Sequence, residues 1–74
     1  MTEERLTGKI TKINRDDGWG FIQSDNIPFT RFHFFWSALL HSTKEFKDLE
    51  TGEMVEFIPM KDHNGWHALK IKVL

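Results

Sequence analysis

The chain is 74 residues long, with 10 Lys and Arg against 11 Asp and Glu, four His and no Cys. That length holds one domain with a small core, the absent cysteines exclude disulfides and thiolate metal sites, and a net charge of −1 is not that of a protein gripping duplex DNA by its phosphates. No apolar run approaches the roughly 18 residues of a membrane span, and the start is polar and acidic rather than a secretory leader, so the expectation is a single cytoplasmic domain over residues 1–74 without a membrane contact. Seven Phe and three Trp stand out, because a core this small hides about half of them and rings left outside in a cluster mark a binding surface.

Residues 6–14 carry their apolar side chains at Leu6, Ile10 and Ile13, which taken alone is helical spacing. Gly8, Thr11 and the β-branched Ile pair in so short a stretch instead predict a strand whose alternation is shifted by a bulge or sharp curve. Asp16-Asp17-Gly18 is a turn, and a second strand follows at 19–24. A polar break ends in Pro28, and a third strand occupies 29–36, with the proline tolerable only at its start. Residues 37–40 read as one helical turn and 41–48 as a polar loop. After the turn at Gly52, a fourth strand spans 54–60, with Val55 and Phe57 on one face. Asn64-Gly65, the strongest short hairpin signal, leads into a fifth strand at 66–73, where Leu69, Ile71 and Val73 alternate with Ala68, Lys70 and Lys72. Short strands at this spacing make an all-β barrel or sandwich. The inward set is Ile10, Ile13, Ile22, Phe32, Phe34, Leu39, Leu49, Val55, Phe57, Leu69, Ile71 and Val73, enough to fill a closed five-stranded barrel without open edges.

Strand parity then locates the chemistry. Gly20 and Ile22 point inward, so Trp19 and Phe21 point out; Phe32 and Phe34 point inward, so His33 and Phe35 point out. If the two strands pair, these four rings lie side by side on one outer surface. Trp36 has inward parity and joins them only through a twist at the strand end. Gly18 and Gly20 flank Trp19, leaving its face unshielded for close approach of a flat ligand. Bases of single-stranded nucleic acid suit such a row, each stacked base contributing about 1–3 kcal/mol whatever the net charge of the protein. Lys12, Arg15, Arg31, Lys70 and Lys72 are placed to line the face or its rim.

Gly18-Trp19-Gly20-Phe21-Ile22 resembles the first ribonucleoprotein motif of cold-shock domains, K-G-F-G-F-I, and the stretch from Phe32 through Leu39 resembles the second, V-F-V-H-F-S-A-I. Phe46-Lys47-Asp48-Leu49 with Gly52 is similar to F-K-T-L-x-E-G-Q, and Gly8 through Asn14 to G-x-V-K-W-F-N, so the resemblance runs from about residue 8 to 73 with its motifs in order. It implies a five-stranded antiparallel barrel of the oligonucleotide/oligosaccharide-binding type. The implied function is stacking of single-stranded, pyrimidine-rich RNA or DNA, melting of weak RNA structure, and a role as RNA chaperone or regulator of transcription or translation. Carried over by position, the stacking rings are Trp19, Phe21, His33, Phe35, Trp36 and Phe46. The sequence departs from the pattern where Lys12 replaces a stacking Trp, where Asp17 replaces the Lys before Gly18, and where His33-x-Phe35 inverts the family's order.

Plainer readings accompany each feature. Trp19 and Phe21 can be cross-strand packing, His33 a surface histidine, Phe46 an anchor on the core, and Trp66 packing on the Asn-Gly turn. His63 and His67 straddle a turn without a third ligand, so no metal or other cofactor is expected. Asp16 beside Asp17, and Ser37 near His41, lack a third orienting group, so the chain does not read as an enzyme. The rival function is a small barrel that holds proline-rich peptides on the same rings. The expected state is a monomer, with strand exchange between two chains left open.

Overall fold

The first strand bends around one extra residue, and that bend lets the sheet close on itself. The computed structural model describes residues 5–27, 30–40 and 45–74. In β1 (Leu6–Asn14), Ile10 lies opposite Ile22 of β2 (Trp19–Ser24) while Lys12 lies opposite Phe21, so Thr11 is the bulge. Leu6 and Ile10 face the interior before it and Ile13 after it, which is why the apolar spacing imitates a helix. Gly8 also faces inward: a β-carbon there would stand 2.7 Å from Ile22 Cγ2 and 2.8 Å from the Gln23 carbonyl.

The remaining strands are β3 (Arg31–Phe35), β4 (Met54–Asp62) and β5 (Gly65–Val73), with 3-10 turns at Trp36–Ala38 and Phe46–Asp48. The sequence places the helical turn one residue later and hides the second 3-10 turn within a polar loop. Pro28 and Phe29, read as the beginning of the third strand, lie outside the described residues, as do 1–4 and the loop residues 41–44.

The barrel closes in the order β1-β2-β3-β5-β4. The wholly antiparallel barrel expected from the sequence is corrected at one seam, because β3 and β5 pair in parallel through His33 and His67, supported by a parallel bridge between Leu39 and Ile71. Strand direction cannot alternate all the way around a ring with an odd number of strands, so closing five requires one parallel pair. The other pairings are antiparallel.

Ile10, Ile22, Phe32, Phe34, Leu39, Leu49, Val55, Phe57 and Ile71 form the interior with Leu6, and Ile13 and Val73 pack against it half-buried. Leu69 is a second correction: it is 37% exposed, and Ala68, read as outward, is 1% exposed in its place. The cause is a bulge in β5. Glu56 faces Lys72, but Ile58 faces Leu69, leaving Lys70 as an extra residue in the left-handed region at φ 49. Alternation reverses there. Leu69→Ser is expected to change stability by less than roughly 0.5 kcal/mol, whereas Ala68→Leu overpacks the interior and costs about 1–3 kcal/mol. Urea denaturation of the two variants decides, and the opposite ranking would restore the uninterrupted alternation.

Candidate nucleic-acid interface

The register of β2 on β3 sets Trp19 opposite Phe35, Gly20 opposite Phe34, Phe21 opposite His33 and Ile22 opposite Phe32. Alternate residues point outward, so Trp19, Phe21, His33 and Phe35 share the outer surface, as parity predicts. Trp19 and Phe21 have centroids 5.4 Å apart, and each stands 5.7 Å from His33, which in turn stands 4.8 Å from Phe35. The rings do not make a level shelf. Trp19 and His33 incline at 31°, while Phe21 meets His33 at 67° and Phe35 meets it at 84°. Edge-to-face contact fixes the rings mutually and turns each face in its own direction.

Two cations sit on this surface. Lys12 Nζ lies 5.4 Å from the Trp19 centroid and Arg31 Cζ lies 5.4 Å from that of Phe21. Each is held by the ring quadrupole, so a base arriving on either ring shares that face with a positive group. Of the other basic residues read toward the face, Arg15 donates instead to the carbonyls of Phe46, Lys47 and Leu49, satisfying the end of the second 3-10 turn. Lys72 faces Glu56 across the β4–β5 ladder, and Lys70 sits in the bulge with its carbonyl accepting from Arg5.

The glycines do other work than the sequence predicts. Gly20 faces the interior, where a β-carbon would strike the Lys12 carbonyl and stand 2.8 Å from Phe34 Cζ. Gly18, at φ +76, receives the Trp36 ring, whose Cδ1 would be 2.8 Å from a β-carbon. Neither glycine clears space for a ligand over Trp19. Trp36 does turn outward, 55% exposed, and its backbone N–H donates to the Gly18 carbonyl at 2.9 Å, tying the end of β3 to the β1–β2 turn. That turn is closed by Asn14, whose side-chain oxygen accepts from the Asp17 N–H at 3.0 Å and whose amide donates to the Asp17 carboxylate at 3.2 Å. Phe46 stands 6.3 Å from Phe34, edge-on and half-buried against the core. Trp66 packs 5.5 Å from Phe32.

Sequence reasoning weighs His67 only with His63 as a metal pair and misses its place beside His33. The parallel seam brings its ring within 5.8 Å of His33 at 89°, and its Nε2 lies 3.1 Å from Asp62 Oδ1. Only closure of the barrel makes this contact, so no local pattern announces it. Burial, and then His67, hold the His33 imidazole below its ordinary pKa. The Asn64 N–H first, and then His67, hold the Asp62 carboxyl below its own. Past these two histidines the surface continues into a groove of about 340 Å³ with Phe35, Ser37, Met60 and Leu69 on its walls. Among the described residues, no group of three or more His, Asp or Glu is arranged to hold a metal ion.

A closed five-stranded barrel of the oligonucleotide/oligosaccharide-binding type, with rings and cations gathered on the outside of β2 and β3, defines a class of nucleic-acid-binding domains rather than of enzymes. The family model described as the 'cold-shock' DNA-binding domain matches residues 6–74, and the chain belongs to that family. Among solved structures, drosophila Unr CSD456 is similar with a TM-score of 0.78 and 25% identity over 97% of this chain, which spans 27% of that longer one. No curated protein sequence matches significantly.

Proposed function

We propose that this domain binds single-stranded RNA or DNA by stacking bases on Trp19, Phe21, His33, Phe35 and the outlying Trp36. The observation that carries the reading is the meeting of four rings at centroid distances of 4.8 to 5.7 Å on the outer face of β2 and β3. Four such platforms contribute roughly 4–12 kcal/mol gross, before the cost of ordering the strand. That supports useful affinity in a protein of net charge −1. Lys12 and Arg31 supply phosphate contacts beside the rings they cover. The preference is for pyrimidine-rich strands, which stack with little competing self-structure. The action is passive: capture of unpaired strands draws RNA toward its open state, as an RNA chaperone or a regulator of transcription or translation does.

Titration with a short oligo-thymidine is expected to quench tryptophan fluorescence through Trp19 and Trp36. With two phosphate contacts, the logarithm of the binding constant should fall against log salt with a slope of about −1.4. An unquenched signal without binding, or binding only to a proline-rich peptide, overturns the reading. A much steeper salt slope overturns stacking as the main source of affinity.

A further inference from the structure

His33 and His67 come from different strands and meet where the ring face passes into the groove. Their rings stand 5.8 Å apart, near enough that charging one opposes charging the other. His33 is also walled by Trp19, Phe21 and Phe35, which offer no hydrogen-bond partner to an imidazolium. The charges around the pair are unequal. On its far side His67 faces the Asp62 carboxylate at the end of β4, while Lys12 from β1 and Arg31 from β3 lie over the Trp19 and Phe21 rings that flank His33. Among the described residues, cations beside the pair therefore outnumber the one carboxylate in contact with it, and the first 3-10 turn adds only the Ser37 hydroxyl to the groove wall. Without a ligand, the site resists further positive charge.

A nucleic-acid strand reverses that balance, since every nucleotide seated on the rings brings a phosphate. We propose that His33 and His67 act as a coupled pair that takes up a proton when single-stranded nucleic acid binds, so that binding tightens as the solution is acidified. The inference rests on the nucleic-acid reading above and adds a regulating ion to it. The proton comes from solvent. A carboxylate only accepts, so Nε2 of His67 donates to Asp62. On His33 the proton goes to whichever nitrogen is unprotonated.

The sign is fixed by linkage. Burial and His67 depress the His33 pKa, so the free protein favours neutral imidazole and loses stability as pH falls below about 6.5. Phosphate favours the charged form and raises that pKa in the complex. Protons bound are then more numerous in the complex than in the free protein, and affinity rises toward acid. Asp62, held below its ordinary pKa, stays ionised throughout the histidine range and contributes no proton.

The experiment is oligo-thymidine binding at about pH 7.5 and about pH 5.5 at fixed salt, where thymine and the backbone phosphates do not titrate and histidine is the side chain whose ordinary pKa lies in the range. Calorimetry in buffers of different ionisation enthalpy counts the protons taken up. The expected result is an affinity about tenfold higher at the lower pH, with uptake approaching one proton. His67→Gln should reduce the dependence, and His33→Phe with His67→Gln should abolish it while keeping a ring at position 33. His63→Gln, an exposed turn residue, should leave it intact. Binding of equal strength at both pH values, or a dependence that survives in the double variant, overturns this inference alone. Absence of binding at both pH values overturns the nucleic-acid reading together with it.

Discussion

Gly20→Ala is expected to destabilise the domain by about 3 kcal/mol or more. The added carbon points into the barrel, against the Lys12 carbonyl and within 2.9 Å of two atoms of the Phe34 ring. Flexible surface groups retreat from such a clash, but one neighbour here is the backbone of β1 at its bulge and the other is a ring that is 1% exposed. Neither retreats without breaking a strand pairing or displacing the core. A domain of this length has roughly 4–11 kcal/mol in total, so the melting temperature should fall by about 12–24 °C. Gly52→Ala is the matched comparison. Gly52 sits at φ +92 with nothing within 4 Å of its missing β-carbon, so alanine there costs only conformational strain of about 1–2 kcal/mol. If Gly20→Ala proves milder than Gly52→Ala, the interior contact assigned to Gly20 is wrong, and the open-approach role that the sequence predicts for it regains ground.

Gly20 also shows where sequence reading stops. Its parity was legible, since Ile22 two residues on has to face the core, and the outward placement of Trp19 and Phe21 follows from the same rule. What that rule omits is the opposite wall. The need for glycine comes from the closeness of Phe34 and β1, a packing distance no alternation encodes. The bulge of β1 was legible because Gly8 and Thr11 spoil a helix and leave a shifted strand as the remaining solution. The equivalent bulge in β5 was not, because its left-handed residue is Lys70 where glycine would signal the break, and Leu69, Ile71 and Val73 continue an alternation that the backbone abandons. The parallel seam follows from counting five strands in a closed ring. The His67 contact with His33 does not, since it depends on which residues of β5 come level with β3.

Phe21→Ala and Phe35→Ala are each expected to weaken oligo-thymidine binding by about 1–3 kcal/mol, roughly 5- to 150-fold. The two losses arise differently. Phe35 is 52% exposed and touches His33 on one side, so its removal should leave stability within roughly 0.5 kcal/mol of the parent and delete a platform cleanly. Phe21 is half-buried between Trp19 and His33 and carries the Arg31 guanidinium, so alanine there removes a platform and releases the cation toward the phosphates. Its binding cost should therefore shrink at low salt, where the freed Arg31 compensates most, and that of Phe35→Ala should not. His33 touches both rings, so the double variant should deviate from the sum of the single losses, because deleting both leaves the imidazole without lateral support. Binding is read by fluorescence of Trp19 and Trp36, with urea denaturation of every variant in parallel. Folded variants that bind like the parent would show that the bases rest elsewhere. A Phe35→Ala protein that loses stability rather than binding would return that ring to structural packing.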